Sequence, residues 1–163
     1  MKPNIGISDK HKQEIVIQLS KLLADEFILY TKTRNAHWNL EGKDFHGLHL
    51  FFEEQFKQLD EIIDDVAERI RSLGHYAPGT LKIFLGLTHL SENESGENDS
   101  SSFIDRLLED HNGIILFIRG NIDPFATEYK DYGSSDLITG ILSIHEKMSW
   151  MLSANLKQNY LKT

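Results

Sequence analysis

Between Phe51 and Leu73 the chain has neither proline nor glycine, and its apolar residues recur at helical spacing. A stretch of this kind predicts one long helix, which extends back to Phe45 and so carries His49 as well. Asp64 and Glu68 stand four residues apart on it and share a face. His49 precedes Asp64 by 15 residues, which at about 1.5 Å of rise per residue is roughly 22 Å along the axis. Metal–ligand bonds are about 2 Å long. If His37, His49, Asp64 and Glu68 all serve one metal centre, a second copy of the helix must run antiparallel to the first. A two-fold axis does this and makes two equal sites. The competing reading of the same four residues is a cluster of ion pairs and hydrogen bonds holding an interface together.

Composition narrows the class. With 163 residues, 40% of them hydrophobic, no run of eighteen apolar residues and no signal segment, the chain reads as one soluble domain over 1–163. The expected location is the cytoplasm, with no membrane partner. There is no cysteine, which excludes disulfides, thiolate metal sites and cysteine nucleophiles. Any metal is therefore held by nitrogen and oxygen. A net charge of −8 argues against a generally basic nucleic-acid face and favours attraction of cations.

Periodicity predicts an all-α chain. A first helix starts at the N-cap candidate Ser8, after a short tail over 1–7, and runs to about Trp38; Gly42 marks the turn. The second runs from about Asp44 to Leu73, where Gly74 supplies a left-handed cap. A crossover over 75–102 contains Pro78-Gly79 and an apolar piece, Leu81 to Leu90, that predicts a brief helix. The third long helix starts among Ser100 to Ser102. Pro124 predicts a kink or an early stop near Asp123, because it lacks an N–H and clashes with the carbonyl of Gly120. Gly133-Ser134-Ser135 separates it from a last helix, about Ser135 to Tyr160. Four long helices with a long link between the second and third predict a four-helix bundle with one crossover, the ferritin-like arrangement.

Here the residues carry a family resemblance. Asn35-Ala36-His37-Trp38-Asn39, Phe45, Leu48-His49, Phe52-Glu53, Asp64, Ala67-Glu68-Arg69-Ile70 and Leu73-Gly74 resemble the signature of the Dps family, ferritin-like mini-ferritins named for DNA protection in starved cells. Pro78-Gly79, Asp131, Asp136, His145-Glu146-Lys147 and Trp150-Met151-Leu152 extend the resemblance over nearly the whole chain. It implies a homo-oligomeric shell of twelve subunits, with iron oxidised at sites shared across two-fold dimer interfaces. His37 and His49 would come from one subunit, Asp64 and Glu68 from its partner. Fe(II) and hydrogen peroxide are the implied substrates, with Fe(III) mineral stored inside and hydroxyl radical suppressed. Such nitrogen and oxygen ligands also admit Zn, Mn or Co.

The resemblance assigns further residues. Glu53 and Glu54 match positions that start mineral growth on the inner surface, against a plainer reading as solvated helix charges. Asp131 and Asp136, with Glu128 nearby, match a region that forms negative three-fold pores, although Thr127 and Tyr132 stand where some relatives have carboxylates. Capping of the last helix is the competing role for Asp136. Trp38 follows a proposed ligand and is placed either to give an electron to a reactive oxidant or to pack at an interface.

Larger ferritins hold a di-iron site inside each bundle through Glu-x-x-His pairs. Here Arg34, His46, Leu108 and Leu142 precede His37, His49, His111 and His145 by three, so that site lacks its ligands. His111 and His145 read as hydrogen-bonded helix residues, and His46 as a surface histidine. The alternative from another class is a nucleoid-compacting DNA-binding protein with little oxidation activity. Its basic arm would be Lys2, Lys10 and Lys12 at one end and Lys157 and Lys162 at the other, a thin set on an acidic body.

Overall fold

The computed structural model describes residues 4–92 and 96–156. Helix α1, Asp9–Asn39, begins where the Ser8 hydroxyl accepts the His11 N–H at 3.2 Å, and it closes at Leu40, whose N–H donates to the Ala36 carbonyl. Helix α2, Phe45–Ser72, is unbroken. It ends as expected: Gly74 has φ +88°, a conformation only glycine enters at little cost, and the N–H groups of Gly74 and His75 donate back to the carbonyls of Arg71 and Ile70.

The crossover is tied to α1 at several points between Phe84 and Ser91. Its short helix α3, Leu81–Leu87, is capped by the Thr80 hydroxyl, and Phe84 stacks on Phe27 of α1 with ring centroids 4.8 Å apart. Just beyond it, the buried Asp25 carboxylate accepts from the Thr88 hydroxyl at 2.6 Å and the His89 N–H at 2.7 Å. Lys32 Nζ then reaches the Ser91 carbonyl at 2.7 Å.

Helix α4, Ser100–Asp123, starts where the Asp99 carboxylate accepts the Ser102 N–H at 3.1 Å. At Pro124 the expected stop takes a specific form. Proline sits at the first position of a wide π-helical turn, Pro124–Glu128, where a missing N–H costs little. The turn closes by Tyr129 N–H to the Pro124 carbonyl at 3.0 Å, with Phe125 buried. Lys130 then takes φ +59° and ends the segment.

Helix α5, Tyr132–Leu156, begins before the expected Ser135. The reason is Asp131, whose carboxylate accepts from the Ser134 N–H at 3.0 Å and the Ser134 hydroxyl at 2.5 Å, pulling Gly133-Ser134-Ser135 into the first turn. Capping belongs to Asp131, not to Asp136, which lies within the helix and is exposed. The expected end near Tyr160 and the lysines Lys2, Lys157 and Lys162 lie outside the described residues.

α1 packs along α2 and α4 along α5, and the two pairs close on each other chiefly through α1 and α4. Leu19, Leu22, Leu23, Phe52, Leu59, Val66, Ile70, Leu107, Ile114, Ile118 and Ile138 fill the space between them. Each buried large apolar side chain contributes about 1.5–3 kcal/mol relative to exposure. Truncating Phe52 to alanine would cost about 3–5 kcal/mol. The result is a four-helix bundle with one long crossover, and no strand is formed among the described residues.

Candidate metal centre

His37 lies in the last turn of α1 and His49 near the start of α2. The two rings lock each other. His37 Nδ1 is 2.7 Å from the His49 carbonyl, and His49 Nδ1 is 2.8 Å from the His37 carbonyl. A carbonyl can only accept, so each Nδ1 carries a proton, and in the neutral ring each Nε2 is then the lone-pair nitrogen, the form in which imidazole ligates metals. The His37 carbonyl has no helical partner, because the Glu41 N–H turns away to Asn98; the His49 ring satisfies it. Aromatic contacts fix the pair further. The histidine rings stack at 3.8 Å between centroids, Phe45 stacks on His49 at 5.1 Å, and Phe56 meets His37 edge-on at 5.2 Å. Arg34 lies over the rings of Phe56, Tyr30 and Trp38, and donates to the Tyr30 hydroxyl at 2.7 Å.

The carboxylates are elsewhere. Asp64 and Glu68 are exposed one turn apart on the unbroken α2, so Asp64 stays roughly 22 Å along the axis from His49. Among the described residues of one chain, no three His, Asp or Glu side chains converge on a position that could hold a metal ion. A single chain thus presents two oriented histidines at one place and two solvent-facing carboxylates at another.

Glu53 follows His49 by one turn and pairs with Lys57 at 2.9 Å. The Lys57 ammonium holds the Glu53 carboxyl below the usual glutamate range, with smaller pulls from His37 and His49. Glu54 is exposed beside it, and Trp38 is 62% exposed. Of the three carboxylates expected near a pore, Glu128 and Asp136 are exposed, whereas Asp131 is 3% exposed. Asp131 is bound within its own subunit, to Ser134 and to the Arg69 guanidinium at 2.7 Å, while Arg69 Nε also reaches the Ser134 hydroxyl at 2.8 Å.

His111 and His145 are hydrogen-bonded helix residues, as expected, and His46 is exposed. Sequence reasoning missed their third member, Glu26, which is fully buried beneath His145 at 2.8 Å. A signal was present: Glu26 falls within the apolar stripe of Leu22, Leu23 and Leu29, where a charge has no solvent. Lys12, expected in a basic arm, is also buried and pairs with Asp9 at 3.5 Å.

Comparison with known proteins adds independent findings. A ferritin-like domain model matches residues 17–159. A low temperature-induced protein of Nostoc sp. is 36% identical over 149 residues, 91% of this chain and 83% of that protein. DNA protection during starvation protein 2 of Bacillus anthracis is 32% identical over 90% of this chain and 99% of its own length. Among solved structures, the Dps protein of Vibrio cholerae O1, described as a member of a broad superfamily of ferritin-like diiron-carboxylate proteins, superposes with a TM-score of 0.89 at 31% identity. That match covers 96% of this chain and 98% of the other.

Proposed function

The chain belongs to the Dps family of ferritin-like proteins, and we propose that it is an iron-storing mini-ferritin that oxidises Fe(II) with hydrogen peroxide at sites shared between two-fold-related subunits. The observation that carries this reading is the reciprocal lock of His37 and His49, which orients two Nε2 atoms at one end of a helix pair, far along α2 from Asp64 and Glu68 of the same chain. A buried interface cluster has no need of two nitrogens held in the ligating tautomer. Asp64 and Glu68 of the partner subunit, carried on an antiparallel α2, would complete the set. The long unbroken helix is the physical reason that sharing is needed.

On this reading each component has a defined task. The histidines and carboxylates bind Fe(II) and leave positions open for an oxidant. Two Fe(II) ions give one electron each, the O–O bond of hydrogen peroxide breaks, and two hydroxides result without free hydroxyl radical. Fe(III) then hydrolyses, with Glu53 and Glu54 as carboxylates on which mineral starts. Glu128 and Asp136 remain as exposed pore candidates, and a shell of twelve encloses the product. Zn, Mn or Co would compete for the same ligands.

Anaerobic Fe(II) loading followed by hydrogen peroxide tests the proposal, with absorbance and peroxide consumption followed in wild type and in a size-checked His37→Ala/His49→Ala variant. Fast oxidation that depends on the histidines is the expected result. Equal slow rates in both would leave the four residues as an interface cluster. DNA compaction, suggested by the names of relatives, finds less support: the body is acidic and Lys12 is buried. A low-salt gel shift without retardation would remove it.

A further inference from the structure

A second polar cluster crosses the middle of the bundle, away from the proposed iron ligands. Glu26 of α1, His145 of α5 and His111 of α4 are each 0% exposed. Glu26 Oε1 lies 2.8 Å from His145 Nε2, and His145 Nδ1 lies 2.8 Å from His111 Nδ1. The three side chains thus form one linear chain, with Glu26 Oε2 at one end and His111 Nε2 at the other, both buried without a hydrogen-bond partner.

Counting protons shows what such a chain can hold. The bond to Glu26 uses a proton on His145 Nε2. The bond between the rings needs one proton between two Nδ1 atoms, so one Nδ1 must be bare. With one further proton on His111 Nε2, the cluster is a carboxylate plus a single imidazolium shared by two rings, with no net charge. Protonating both rings fully puts two N–H groups face to face and breaks the bond between them.

Among the described residues, no other buried group is free to compensate that charge. On α4 the adjacent Asp110 is already paired with Lys32 of α1 at 2.5 Å, and burial pushes its carboxyl up despite that lysine. Asp25 of α1 is engaged by Thr88 and His89. Among its described residues α2 buries no titratable side chain, α3 buries Phe84, and the other polar groups buried on α5 are serines.

We propose that Glu26, His145 and His111 form an acid-sensitive latch inside each bundle, which holds α1, α4 and α5 together only while one of its two rings stays unprotonated. Burial, and secondarily the His145 charge, hold His111 well below the ordinary histidine value of 6.5, in keeping with this geometry. The sign follows from linkage. Below about 6.5 the unfolded chain protonates both rings and the folded chain does not, so the unfolded state binds more protons and stability falls as pH falls. Near 6.5 the two states bind equal numbers of ring protons and the contribution is largest; above that value the unfolded rings lose protons that the shared imidazolium keeps, so the contribution declines again as pH rises.

Hydrogen exchange of the assembled protein, read by mass spectrometry and corrected for intrinsic rates, tests this. Protection of α4 and α5 peptides around His111 and His145 is expected to drop by up to about tenfold per pH unit below 6.5. His111→Leu, and His111→Asn, whose amide oxygen keeps an acceptor for His145 but cannot titrate there, are expected to flatten that slope even if absolute protection changes. Slopes equal to wild type in both variants would overturn the latch. Exchange of the imidazole C2 proton in wild type gives a check that needs no variant. His111 titrating near 6.5 would also overturn it; His111 staying neutral well below that value is the expected result.

Discussion

Arg69 on α2 and Asp131 at the start of α5 meet at 2.7 Å across 62 residues of sequence, and their pairing ties the two halves of the bundle at one end. Asp131→Ala removes a buried ion-pair partner and a helix cap together, and Arg69, partly exposed, recovers some solvation. The expected cost is about 2–4 kcal/mol. Asp131→Asn, which still caps, should cost less. Denaturant unfolding at fixed protein concentration measures both, and a change of a few tenths in each would show that the pair is idle.

Ligand sharing makes a quantitative prediction for mixtures. His37→Ala and Asp64→Ala should each slow Fe(II) oxidation by at least about tenfold. In a mixed dimer of the two, one site carries both lesions and the other carries neither, so a pure mixed dimer should have about half the wild-type rate and random equal mixing about a quarter. Were all four ligands supplied by one chain, every site would carry a lesion, and demonstrated mixed dimers would stay slow.

Trp38 stands next to His37 with the Arg34 guanidinium 5.2 Å from its ring, a cation that makes losing an electron harder. Packing is therefore its expected role. Trp38→Phe should retain assembly and the rate of Fe(II) oxidation, and electron paramagnetic resonance after peroxide addition should look the same in variant and wild type. A radical signal lost with the indole would reverse that assignment.

The Asp99 cap predicts a pH dependence of the opposite residue class to the histidine latch. Its carboxyl is held below the ordinary value of 3.8, first by the Ser102 hydroxyl and then by the Ser102 N–H. A depressed folded-state value means stability present above the ordinary value and lost as pH falls through the folded one. Asp99→Ala should therefore cost about 1 kcal/mol at neutral pH, with the difference from wild type shrinking in strong acid. Thermal melts across pH 2–7 would test it, and a gap that stays constant would show that the charge is irrelevant.

What the sequence disclosed and what it withheld divide along the range of the interactions. The Ser8 cap, the length of α2 and the Gly74 terminator depend on residues within a turn or two, and each could be read directly. The start of α5 could not, because the group that recruits Gly133 and Ser134 into the helix is positioned by Arg69 from another helix. Pro124 announced an ending, but the wide turn that follows depends on where Phe125 is buried. The offsets of His37, His49, Asp64 and Glu68 pointed to a candidate site. The exchange of ring and carbonyl hydrogen bonds, in contrast, depends on the register of α1 against α2. Glu26 stood out only as a charge within an apolar stripe, and its partners His145 and His111 come from two other helices, so the pairing itself depended on the packed bundle.

The separation of the two histidines from the two carboxylates also bears on timing. Under the shared-ligand proposal a newly made chain carries two incomplete halves of different sites, and no folding of that chain alone can join them. Iron chemistry would switch on with pairing of subunits, in step with the construction of the compartment that receives its product. Unassembled protein would pass through the cell without generating ferric iron it has nowhere to put.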